Sequence, residues 1–148
     1  MDTDPRIRLR SFQVEDYDKL ISLWDASELP YRPLGRDSRA KIETELEFGC
    51  TVAVVAERDG KLIGSLWGTH DGRKGWLNRL AVAPEFRNRG LARLLVEKVE
   101  AMFDELGIDI VGVLVEDWNK DSMDVFEKLG YVRHKDIYYY SKRKNAEV

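Results

Sequence analysis

An apolar stretch, Leu80-Ala81-Val82-Ala83, ends at Pro84, and a basic turn, Arg87-Asn88-Arg89-Gly90, opens from it into a long amphipathic segment. The first turn of a helix carries backbone N–H groups without partners inside the helix, and it is the positive end of the helix dipole. A basic turn at that point suits a bound phosphate or pyrophosphate. Arg87 and Arg89 add charge, and Gly90 lets a ligand come close to the backbone.

The rest of the chain can be read around this segment. Residues 6–10 alternate basic and apolar side chains, as in a first strand. Tyr17, Leu20, Ile21 and Trp24 recur at helical spacing, which predicts a helix over 14–26. Pro30 and Pro33 make 28–35 irregular. Asp37 or Ser38 can cap a second helix that buries Ile42 and Leu46 and closes at Gly49. A meander follows: 51–57, a hairpin turn at Asp59-Gly60, 62–67, a turn at Asp71-Gly72, and 76–82. Beyond the basic turn, Leu91, Leu94, Leu95, Val99, Met102 and Leu106 trace one helical stripe ending at Gly107. The run 108–115 reads as a strand buried on both faces. A short helix at 122–129 ends at Gly130, and 131–133 and 137–141 read as final strands. The expected fold is mixed α/β (α+β), with a mostly antiparallel sheet. One right-handed crossover in the second half gives one parallel pair.

The 148 residues suit a single domain, expected to span 1–148. A net charge of −3 argues against a general nucleic-acid binder. No apolar run approaches the roughly 20 residues needed to cross a bilayer, so no membrane partner is expected. Residues 1–5 are acidic and lack an apolar stretch, which predicts no secretory leader. Cys50 is the only cysteine, in keeping with a reducing, cytoplasmic setting. No His/Cys cluster has metal-ligand spacing, so no metal is expected.

Two motifs carry a resemblance. Arg87-Asn88-Arg89-Gly90-Leu91-Ala92 resembles the Gln/Arg-x-x-Gly-x-Gly/Ala acyl-CoA loop of the GCN5-related N-acetyltransferases (GNAT family). The segment 119–131, from Asn119 through Ser122, Phe126 and Gly130 to Tyr131, resembles that family's Asn-x-x-Ala/Ser…Tyr-x-Lys-x-Gly-Phe/Tyr motif. Together with the order of elements, the likeness covers about 7–141. It is nearest the small single-domain members, including the YpeA-like group.

The resemblance implies the GNAT acyl-CoA N-acyltransferase fold, in which the fourth and fifth strands splay apart between flanking helices. It also implies acetyl-CoA as donor and an amine as acceptor: a small molecule, a peptide N-terminus or a lysine. Arg87, Asn88, Arg89, Gly90, Leu91 and Ala92 would then form the pyrophosphate loop. Leu80 and Val82 would offer strand backbone to the pantetheine arm, and an N–H near Leu80 or Ala81 would polarise the thioester. Asn119 would contact the pantetheine, and Ser122 and Phe126 would line the sulfur end. Tyr31 and Arg32, beside two prolines, are the candidates for acceptor contact.

Two catalytic roles depart from the family pattern. Phe126 stands where many relatives carry a tyrosine that protonates the departing thiolate; Tyr131 and the run Tyr138-Tyr139-Tyr140 are the candidate substitutes. The fourth strand carries no carboxylate, which leaves Glu116, at the end of the fifth, as the candidate general base. Asn119 also fits as a helix cap, Phe126 as core, and Glu116 as a solvated strand end. A CoA-binding sensor with little catalysis is the alternative function. An apolar tail strand pairing across a homodimer is a further expectation.

Overall fold

Asp59 and Gly60 both adopt positive φ, 52° and 77°, forming the two-residue turn whose twist matches a β-hairpin. A computed structural model of the chain describes residues 4–148; Met1, Asp2 and Thr3 of the acidic N-terminal stretch lie outside the described residues. The hairpin joins β2 (Thr51–Arg58) to β3 (Lys61–His70). Before it come β1 (Arg8–Ser11), a 3₁₀ turn (Val14–Asp16), α1 (Tyr17–Ala26) and α2 (Arg39–Glu47). After it come β4 (Lys74–Val82), a second 3₁₀ turn (Pro84–Phe86), α3 (Leu91–Glu105), β5 (Ile110–Val113) and α4 (Lys120–Lys128). The five strands lie in the order β1-β2-β3-β4-β5. All neighbours are antiparallel except β4 and β5, which are parallel across the α3 crossover.

Side chains alternate across β3 and so sort the helices onto opposite faces of the sheet. Gly64 and Gly68 face α3: a Cβ on Gly68 would lie 2.6 Å from Phe103 Cζ and 2.7 Å from Val99 Cγ1. The absence of that atom lets α3 seat Leu91, Leu95, Val96, Val99 and Phe103 in the core. Each contributes on the order of 1.5–3 kcal/mol by burial. Ser65 and Trp67 point the other way, where Trp24 of α1 donates Nε1–H to Ser65 Oγ at 3.0 Å. Ser38 caps α2 by accepting from Lys41 N, and Ile42 is fully buried. No helix among the described residues is long and apolar enough to cross a membrane.

Three expectations are corrected. Leu106 is 52% exposed, because the buried face of α3 turns through Val96 and Phe103 instead. The fifth strand is Ile110–Val113, and Ile110 is 60% exposed. β5 closes the sheet at its edge, and along the run 108–115 only Ile108 is buried. The segments 131–133 and 137–141 are not strands. No backbone group of residues 132–145 joins a backbone hydrogen bond among the described residues. Aromatic and β-branched composition measures fit to a half-buried pleated surface, and Val132, Ile137 and Tyr138 to Tyr140 are all exposed.

Candidate active site

The parallel ladder ends at Leu77↔Val113, while β4 continues to Val82. The last five residues of β4 therefore have β3 on one side and, on the other, a gap in the ladder where β5 no longer pairs. Ala83 N donates to Ile63 O at 2.8 Å, so alternation turns the N–H and C=O of Val82 away from β3 and toward that gap. Leu80 and Val82 are half-buried and Ala81 is buried.

The basic turn sits at the end of this open strand. Phe86 is buried beneath it, with the guanidinium carbons of Arg58 and Arg89 at 5.6 and 4.8 Å from its ring centroid. Asn88 and Gly90 both take left-handed backbone, φ 60° and 82°. Gly90 is the residue from which α3 starts. Leu94 N is bonded to Gly90 O, so the N–H groups of Leu91, Ala92 and Arg93 fall in the unpaired first turn. Leu91 anchors that turn in the core and Ala92 is half-buried. Arg87 is directed elsewhere: its Nε donates to Val82 O at 3.1 Å and its Nη2 to Ser27 O at 3.1 Å. It ties strand end, turn and the end of α1 together.

Between the turn and the parallel ladder, β4 bulges. Ser65 pairs with Ala81 and Trp67 with Asn78, so Arg79 and Leu80 together oppose Leu66. Arg79 has φ 57°, an uncommon conformation for a non-glycine residue. Its carbonyl accepts from Ser65 Oγ at 2.9 Å. In a trans peptide the next N–H points opposite to the carbonyl, so Leu80 N–H is turned away from β3, toward the gap.

The Arg79 side chain is bound on several sides. Nε and Nη2 donate to Asp37 Oδ1 at 3.1 and 2.8 Å, and Nη1 donates to both Glu45 carboxylate oxygens at 3.2 Å. Its guanidinium carbon lies 5.9 Å from the ring centroid of Trp24 and 5.6 Å from that of Trp67.

Asp37, which is buried, also accepts from the Arg32 backbone N at 2.8 Å. Tyr17 Oη donates to the Asp37 carbonyl at 2.8 Å. Burial, then the nearby Asp37 charge, pushes the Tyr17 phenol up. Tyr31 lies against Trp24, ring centroids 5.8 Å apart. It donates to Asp25 Oδ1 at 2.7 Å, a bond that raises its pKa. Arg32 Nε donates to the Ala146 carbonyl of the C-terminal tail. Tyr31 and Arg32 thus sit on a loop fastened to the β4 bulge through Trp24 and Asp37.

On the far side of the gap, Asn119 caps α4 by accepting from Ser122 N at 3.2 Å. Ser122 is half-buried. Phe126 is 4% exposed and meets Tyr131 edge-on, centroids 5.2 Å apart. Glu116 lies three residues beyond the end of β5 and is exposed. Its side chain makes no hydrogen bond or ion pair among the described residues, and only its carbonyl is engaged, by Asn119 N. The hydroxyl of Tyr131 goes to Glu100 of α3, and Tyr138, Tyr139 and Tyr140 are exposed.

The sequence reading missed Arg79, Asp37 and Glu45 as a group. A signal was present: Arg79 shares strand parity with the buried Gly75, Leu77, Ala81 and Ala83. An arginine among buried positions needs a partner, and the bulge turns this one to the Trp24 and Trp67 side, away from the α3 face that Gly75 meets.

The acetyltransferase (GNAT) family pattern matches residues 15–131. Among solved structures, AAC(6')-Iy in complex with the bisubstrate analogue CoA-S-monomethyl-acetylneamine superposes with a TM-score of 0.77 at 21% identity, covering 93% of this chain and 98% of that one. The PaiA N-acetyltransferase from Thermoplasma acidophilum in complex with coenzyme A gives 0.74 at 21%, covering 83% and 87%. Glucosamine-6-phosphate N-acetyltransferase from Arabidopsis thaliana gives 0.76 at 20%, covering 94% and 99%. These identities speak for the fold, and the family pattern spans far more than half of the sequence. The chain belongs to the GNAT family of acetyltransferases.

Proposed function

We propose that this protein moves the acetyl group of acetyl-CoA to a primary amine by direct attack within a ternary complex. The observation that carries this reading is the parting of β4 from β5 after Leu77↔Val113, next to a left-handed Gly90 at the head of α3. The Val82 N–H, turned from β3, can bond an extended amide-bearing arm as an added strand would, beside the Val82 carbonyl that Arg87 already engages. The unpaired first-turn amides of α3 suit a pyrophosphate. These features fit acetyl-CoA, with Asn119, Ser122 and Phe126 bordering its thiol end.

The chemistry asks little of side chains. The neutral amine nitrogen bonds to the thioester carbon, the C–S bond breaks, and the sulfur leaves as a thiolate that takes a proton from water. Holding the two reactants together supplies up to about 7–11 kcal/mol in ideal cases. Leu80 N–H, turned into the gap, stabilises the developing oxyanion. The proton lost by the amine passes through water to Glu116, an exposed carboxylate three residues beyond β5. The acceptor enters beside Tyr31 and Arg32.

The test is release of free thiol from acetyl-CoA by the purified protein against a panel of primary amines: small polyamines and amino sugars, a peptide N-terminus and a lysine peptide. Turnover with at least one is expected. Tight CoA binding with no turnover on any amine would favour the sensor reading.

A further inference from the structure

The strained peptide at the β4 bulge needs something to hold it. A non-glycine residue with φ near +60° costs on the order of 1–2 kcal/mol and persists only where its surroundings fix it. At Arg79 the surroundings act at both ends of the residue. The carbonyl is held by Ser65 Oγ, which is itself held by Trp24 Nε1, and both Ser65 and Trp24 are fully buried. The side chain is gripped by Asp37 and Glu45, with side-chain exposures of 3% and 28%. Asp37 belongs to the α1–α2 loop and Glu45 to α2, so a single arginine joins that loop and that helix to the strand.

We infer that Arg79 is a positioning residue for acyl transfer: its clamp on Asp37 and Glu45 fixes the bulge so that Leu80 N–H faces the thioester carbonyl. The inference rests on the proposed function above. It adds a second consequence, because Asp37 also holds the Arg32 backbone. The oxyanion donor and the acceptor loop are therefore fastened to the same carboxylate. Loosening the clamp should disturb both and spare the α3 turn, which is held instead by Arg87 on the Val82 and Ser27 carbonyls.

Infrared difference spectra of acetyl-CoA labelled with ¹³C at the thioester carbonyl read this directly. Wild-type protein should move the bound carbonyl to lower frequency than in solution. Arg79→Met should return it toward the solution value, lower kcat by up to about 100-fold through misplacement of the donor and raise the KM for the amine, with the Kd for CoA changed less than about threefold. Arg79→Lys keeps the charge but not the fork, so it should recover part of the shift. A purely structural arginine would lower the melting temperature and leave the carbonyl frequency alone. If Arg79→Met does not fold, Glu45→Gln carries the test, with the same changes in the same direction at smaller size. Wild-type frequency and kcat in a folded Arg79→Met, or in Glu45→Gln where Met does not fold, would overturn the inference. An unshifted carbonyl in wild-type protein that does bind CoA would instead overturn the role of Leu80 N–H and the inference with it. Failure to bind CoA at all would sink the proposed function itself.

Discussion

The Tyr131 hydroxyl donates to Glu100 Oε2 at 2.8 Å, which directs this phenol onto α3. Burial and then the Glu100 carboxylate raise its pKa, so it stays protonated through the physiological range and committed to its partner. Tyr131→Phe should leave kcat within about twofold while lowering stability by about 1.5–3 kcal/mol, the net worth of a hydrogen bond to a charged group. A loss of kcat beyond about tenfold would make it the acid that Phe126 cannot be. The sign of the pH effect follows from the raised folded-state value. The contribution of Tyr131 is fully present below the ordinary phenol value of 10.0 and falls as pH rises above it. Thermal melts of wild type and Tyr131→Phe should converge on that alkaline limb.

Gly90→Ala should weaken the loop in two ways. At φ 82° an alanine is strained by about 1–2 kcal/mol. Its methyl group also stands where the backbone must approach a pyrophosphate. Calorimetry should show CoA affinity reduced about tenfold or more, equivalent to about 1.4 kcal/mol. An unchanged affinity in a folded variant would place the phosphates elsewhere.

Phe126→Tyr tests whether a missing acid limits the rate. Phe126 is nearly enclosed, and its ring already fills the space against Tyr131. A thiol with a pKa near an ordinary value of about 8.5 leaves readily as thiolate. With both substrates saturating, kcat should stay within about threefold of wild type. A rise of about tenfold or more would show that protonation of the departing sulfur controls turnover.

Acid stability should depend on the cluster that joins β1 to the start of α1. Arg10 donates to both Asp16 oxygens, at 2.8 and 2.9 Å, and to Glu57 at 3.1 Å. The bonds from Arg10 hold both carboxyls below their usual values of 3.8 and 4.5. Depressed carboxyls stabilise the fold above those values and lose that contribution as pH falls through the lowered ones. Asp16→Asn should cost about 1–3 kcal/mol near neutrality. The cost should shrink below pH 4 as the wild-type pair is protonated, as melts across pH 3–7 would show.

The sequence made local periodicity and turns legible, and with them the order of the elements. Asp59-Gly60 and Gly90 need left-handed backbone and took it. The apolar centres of β2 and β3 and, in the stripe, Leu91, Leu95 and Val99 are buried as their spacing implies, with Leu94 half-buried. Failures came where the environment, not the residue, decides. Ile110 is a strand residue yet 60% exposed, and Tyr138 to Tyr140 have strand composition but are exposed and join no strand. The bulge at Arg79 was invisible because a positive φ in a strand depends on Trp24, Asp37, Glu45 and Ser65, which approach it from four separate segments. In the same way, Arg87 reads as a phosphate ligand by its charge, yet its guanidinium is engaged by the carbonyls of Val82 and Ser27.

The most direct measurement is an isothermal titration of the purified protein with coenzyme A, repeated with Gly90→Ala. Saturable one-to-one binding, weakened by the substitution, is the predicted result. No saturation with wild-type protein at millimolar coenzyme A would contradict the assignment of the gap and the α3 turn as the acyl-donor site.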